Sequence, residues 1–75
     1  MTLDEFVEKV QGELQDTPAE QITAETNYKE LDEWGSLTSL GLISMIEEEY
    51  DKLISGADVR ARNSVRELWE YVESL

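Results

Sequence analysis

Three stretches of this 75-residue chain repeat apolar side chains at three- and four-residue spacing, the signature of helices with one buried face. The first contains Leu3, Phe6, Val7, Val10 and Leu14. Thr2 followed by Glu5 gives it a capping-box start, and Asp16, Thr17 and Pro18 end it. The second runs from about Ser36 to Tyr50 or a little beyond. At about 100° per residue, Leu42, Ile43, Ile46, Tyr50 and Leu53 fall on one side of it and are expected to face the core. Gly41, Ser44, Glu47 and Glu48 fall on the other, with Leu37 and Leu40 on that side or at its edge. The third opens at Asn63-Ser64, where Ser64 and Glu67 repeat the capping-box pattern, and buries Val65, Leu68, Trp69 and Val72.

Between these helices lie two connections. Residues 16–35 make a long first loop for so small a domain. Ile22, Tyr28 and Leu31 are expected to pin it, with a short helical turn near Tyr28–Leu31. The second connection permits a short helix around Ala57–Arg60. No alternating strand pattern, internal repeat or low-complexity tract occurs. The expected fold is all-α: a single domain over residues 1–75, built as a small antiparallel bundle of three main helices plus one short helix.

Composition narrows the chemistry. The chain has no cysteine and no histidine, which removes disulfides, thiolate chemistry and the usual transition-metal ligands. A serine nucleophile would lack its usual base. No calcium-loop pattern surrounds Glu47-Glu48-Glu49, so neither catalysis nor a metal site is expected. No apolar run reaches the roughly 20 residues of a membrane span. The reading is a soluble, cytoplasmic monomer.

The net charge of −12 exceeds the magnitude of about 2–8 usual for a small domain. Residues 1–27 and 28–51 each carry seven acids and one lysine, whereas residues 52–75 balance four acids with Lys52, Arg60, Arg62 and Arg66. Such a field repels nucleic acid and anionic membranes, and it steers in basic protein partners. It is equally the field of a solvated face.

The segment WGSLTSLGLISMIEEEY places two serines, Ser36 and Ser39, at the start of the second helix. Serine is a common helix-start residue, so neither position alone implies chemistry. A helix N-terminus does favour a phosphate, through its free N–H groups and dipole. Counting from Ser36-Leu37, the residues Leu40, Leu42, Ile46, Glu47 and Tyr50 follow at steps that resemble helix two of the acyl carrier protein family. Counting from Ser39-Leu40 fails, because Glu49 falls where an apolar residue is needed. The resemblance extends to the first apolar stripe, the loop with Tyr28 and Leu31, the EEEYD end of helix two and the closing LWxYV.

The resemblance implies that Ser36 carries 4′-phosphopantetheine, transferred from coenzyme A by a phosphopantetheinyl transferase, and that the arm's thiol holds acyl groups as thioesters. It also implies an acyl pocket between helices, for which Leu42, Ile54 and Val59 are the candidate lining. Basic-surfaced acyl-transfer or condensing enzymes would be the partners. Leu37 and Leu40, rimmed by Glu47, Glu48, Asp32 and Glu33, form the candidate docking surface for them.

The chain departs from the family at Gly35, where an aspartate usually precedes the serine, and at Thr38 and Gly41, where acids are common. These departures point to a specialised pathway rather than housekeeping fatty acid synthesis. Two other readings stay open: an aminoacyl or peptidyl carrier, and an unmodified acidic interaction module. Trp34 is either a wall for the arm or a partly buried loop anchor. Arg60, Arg62 and Arg66 form a basic patch, facing either acids on helix two or a partner.

Overall fold

The computed structural model describes residues 1–75 and contains helices and connections without strands. The helices are α1 (Leu3–Glu13), α2 (Ser36–Tyr50), α3 (Gly56–Arg60) and α4 (Val65–Glu73). The long connection carries single 3₁₀ turns at Ala19–Gln21 and Tyr28–Glu30, the second where a short turn is expected. The fold is a small helical bundle in which α1 packs on α2 and α4, and α2 packs on α3.

Local chemistry sets the helix starts. Thr2 Oγ1 accepts the Glu5 N–H at 3.1 Å and Glu5 Oε1 accepts the Thr2 N–H at 3.1 Å, closing the capping box of α1. The same reciprocal pair joins Ser55 and Asp58 at the start of α3. Only half of the pattern forms at α4. Ser64 Oγ accepts the Glu67 N–H at 3.1 Å, but the Glu67 carboxylate takes the Asn63 N–H at 2.9 Å instead.

Helix α2 stops sooner than its apolar spacing suggests. Asp51 adopts the left-handed conformation, φ 55°, and ends the helix directly after Tyr50. Leu53 therefore leaves the helical register and is 76% exposed, instead of facing the core. Ile43, Tyr50 and Trp69 are half-buried against the core's rim, and Leu3 is half-buried outside it. Met45, which the wheel did not place on the core face, is buried. A Cβ at Gly41 would meet only Glu13 Oε1, at an ordinary 3.8 Å, so no backbone approach requires that glycine.

The core closes around the long connection. Phe6, Val10 and Leu14 from the α1 end meet Leu42 and Ile46 of α2 and Leu68 and Val72 of α4, all fully buried. Into this centre the connection sends Ile22 and Tyr28, also fully buried. A backbone crossing a core must find partners for its polar groups. Here Thr26 O accepts the Val65 N–H at 3.0 Å and Ala24 O accepts the Arg66 N–H at 2.8 Å, which satisfies both the loop and the free donors of α4. Gln11 Nε2 donates to the carbonyls of Ala19 and Ile22 at 3.1 and 2.9 Å. The Tyr28 hydroxyl donates to the Val59 carbonyl at 2.6 Å.

Burial raises the Tyr28 phenol pKa well above its ordinary value near 10. Above about pH 10 the unfolded chain releases this proton while the folded chain keeps it, so the folded state binds more protons and stability falls. The contribution is fully present below that pH and is lost as pH rises toward the folded value. Tyr28→Phe should lower Tm by about 4–8 °C at pH 7, equivalent to about 1 kcal/mol for one buried hydrogen bond. It should also flatten the decline above pH 10, leaving the contributions of Tyr50, whose pKa burial raises, and Tyr71, whose pKa the hydrogen bond to Asp58 raises. Thermal melts between pH 7 and 11 check both; an unchanged alkaline slope would contradict the assignment.

Candidate functional site

Ser36 is the first residue of α2, and its side chain is exposed with no hydrogen-bond partner. The N-cap, Gly35, has extended backbone (φ 179°) and no side chain to cap the helix. Thr38 takes over part of that task, its Oγ1 accepting the Gly35 N–H at 2.8 Å. The first backbone bond of the helix is Ser39 N–H to Gly35 O, at 3.0 Å. The N–H groups ahead of it remain free, and no acid occupies the first turn. Nothing lies within 4 Å of a Cβ built at Gly35, so a larger residue also fits that position.

Beside Ser36 opens a groove of about 390 Å³ between the start of α2 and α3. Trp34, Leu40 and Ile43 form its apolar wall, and Ser39, Gly56 and Arg60 complete it. Trp34 is a partly buried loop anchor that also lines the groove. Its ring packs on Tyr28 with centroids 5.0 Å apart. A phosphate ester on Ser36 fits this arrangement: the hydroxyl is open, no carboxylate crowds it, and the groove gives an attached chain room.

The other residues singled out from the sequence are distributed as follows. Leu37 is 84% exposed and Leu40 58% exposed, with Glu47 and Glu48 exposed further along α2. Leu37, Gly41, Ser44 and Glu48 share one helical face, and Leu40 and Glu47 lie at its edge. Asp32 and Glu33 line an acidic hollow with Asp16 and Glu30 and not the groove at Ser36, although the Glu33 carbonyl accepts the Thr38 hydroxyl at 3.3 Å. The Glu33 carboxylate is committed to the fold, accepting the Thr17 hydroxyl and the Asp16 N–H. Leu42, Ile54 and Val59 are buried in the core, and none of them lines a cavity.

The basic patch divides. Arg66 pairs with Glu25 at 2.6 Å, and Arg62 lies 4.0 Å from the centre of the Tyr71 ring, so neither meets helix-two acids. Arg60 alone reaches the groove. Sequence reasoning placed Arg60 in a patch but not beside Ser36. The available signal was Gly56, four residues earlier on the same short helix, which clears space for its side chain.

Of the 18 acids, only Glu25, Glu49 and Glu73 join ion pairs, with Arg66, Lys9 and the N-terminus. The remainder repel one another across the surface. Raising salt from about 20 to 300 mM shortens the screening length to under a nanometre and should raise Tm by several degrees. A calorimetric salt series tests this, and a flat response would show that self-repulsion does not limit stability.

Comparison with known proteins finds no matching family model, no similar curated protein and no similar solved structure.

Proposed function

We propose that this chain is an acyl carrier, with Ser36 as the attachment point of a 4′-phosphopantetheine arm. The observation that carries this reading is the placement of Ser36. An exposed, unpartnered hydroxyl stands at the tip of the longest helix, on the lip of an apolar-walled groove. In the loading reaction, a bond forms between Ser36 Oγ and the phosphorus of coenzyme A that bears the pantetheine. The pyrophosphate bond of coenzyme A breaks, the hydroxyl proton passes to the transferase, and adenosine 3′,5′-bisphosphate leaves. Once attached, the arm supplies a thiol that holds acyl groups as thioesters.

The chain's own residues then position and present. Thr38 holds the helix start in place of a capping side chain, through the Gly35 N–H. Leu37 offers an apolar contact next to the serine, and Glu47 and Glu48 offer charge further along, as a basic-surfaced transferase or condensing enzyme would require. The acidic surface that steers such partners needs no catalytic group of its own. A specialised biosynthetic role suits the departures at Gly35, Thr38 and Gly41. An aminoacyl or peptidyl cargo would use the same serine.

The test is incubation of the purified protein with coenzyme A and a broad-specificity phosphopantetheinyl transferase, followed by intact mass and peptide mapping. One phosphopantetheine should be gained on Ser36, be lost in Ser36→Ala and persist in Ser39→Ala. No gain with more than one transferase would overturn the carrier reading. The exposure of Leu37 and the unpaired acids would then favour an unmodified acidic interaction module, whose function survives Ser36→Ala.

Docking has its own check. Leu37→Ala and Glu48→Lys should each slow loading about fivefold to tenfold, as loss of one interface contact does. Tm should stay within about 1 °C of the parent for Leu37→Ala, since an exposed surface change rarely exceeds ±0.5 kcal/mol. Unaltered loading kinetics would remove the docking face.

A further inference from the structure

We propose that Arg60 clamps the phosphodiester carried by Ser36, holding the first part of the arm in the groove between α2 and α3. This rests on the carrier reading and adds a site to it.

Two independent observations single out Arg60. The first is the charge of the cavities. The hollow under the long connection is lined by four acids, Asp16, Glu30, Asp32 and Glu33. The hollow between α1 and α2 is lined by four more, Glu8, Glu13, Glu48 and Glu49. The groove at Ser36 has none, and its one charged residue is Arg60. In a chain of net charge −12, this is the cavity suited to an anion.

The second is the commitment of the basic side chains. Lys9 and Arg66 are in ion pairs, Arg62 lies over Tyr71, and Lys29 and Lys52 donate to carbonyl oxygens. The Arg60 guanidinium has no ion pair, hydrogen bond or ring partner, although its backbone carbonyl is held by Lys29 Nζ at 2.8 Å. Its side chain lies over Gly56, where an added Cβ would come within 3.2 Å of Nη1. The side chain is solvent-exposed, and backbone and glycine place this unused cation at the edge of the groove that Ser36 opens into.

A guanidinium recognises phosphate oxygens through paired N–H donors, and the neighbouring Ser39 hydroxyl, also unpartnered, is a further donor. The apolar wall of Trp34, Leu40 and Ile43 suits the gem-dimethyl group that follows the phosphate in pantetheine. Gly35 contributes by absence of charge: no carboxylate precedes the serine to repel the phosphodiester.

The experiment compares the parent with Arg60→Gln, Arg60→Lys, Arg60→Glu and Gly56→Ala, each before and after loading confirmed by mass. Thermal melts at low salt and phosphorus NMR are the readouts. Loading should raise the parent's Tm by about 3 °C, in keeping with one partly exposed charge contact in a small domain. The gain should vanish in Arg60→Gln, partly return in Arg60→Lys and change sign in Arg60→Glu. Gly56→Ala keeps the charge and moves Nη1 by only a few tenths of an ångström, so it should retain most of the gain. The phosphorus resonance should differ between the loaded parent and loaded Arg60→Gln. Confirmed loading with the same Tm change and the same resonance in both would overturn the clamp and leave the carrier reading standing. Failure of Ser36 to load would overturn both.

Discussion

The structure depends on how one buried tyrosine reconciles a long polar connection with a small apolar core. Tyr28 is fully buried, and its hydroxyl reaches the Val59 carbonyl at the end of the short helix α3. Its ring meets Trp34, which stands immediately before the helix that bears Ser36. One side chain therefore braces both walls of the groove: the Trp34 side through ring packing and the α3 side through a hydrogen bond. Arg60 follows Val59 directly, so its backbone position is referred to the same anchor. A five-residue helix would be marginal alone. Here it is held by that bond, by its Ser55–Asp58 capping box and by packing on α2.

Charge is laid out so that the two faces of α2 do different work. The exposed face presents Leu37 and, further along, Glu47 and Glu48, a combination that attracts cationic surfaces. Around the corner of the same helix, the groove is free of acids and contains a lone guanidinium. Exposed charges interact over about a Debye length, close to 10 Å at 0.1 M ionic strength, so the acids of the outer face and the guanidinium of the groove each act mainly on their own surroundings. Gly35 belongs to this second region. Its open surroundings and extended backbone place no demand for glycine, and it leaves the position before Ser36 uncharged.

Much of the architecture was legible because short-range rules act in agreement. The spacing of Phe6, Val10 and Leu14, the Thr2–Glu5 box and the Ser64 cap each locate an element without reference to the rest of the fold. Leu53 was misplaced because helical extrapolation assumes continuation, and Asp51 turns left-handed without the glycine that usually signals it. Met45 was missed because the expected face, centred near Ile46, ran toward Ile43, whereas the face packed beside α1 runs toward Met45. At the site, Ser36 and Leu37 could be read from spacing, since both belong to one helix. Glu33 could not, because its partners Asp16 and Thr17 are far away in sequence. Nor could Arg60 be placed beside Ser36, because that proximity exists only once α3 packs on α2.

The ties of the long connection bear on how the chain opens. Residues 14–35 would ordinarily be the segment a protease finds first, being the longest stretch outside the main helices. Yet Ala24 and Thr26 hold the first turn of α4, and Tyr28 holds α3, so the connection cannot lift without uncovering both. Lifting it would carry Ile22 and Tyr28, two of the most deeply buried side chains, out of the core along with it.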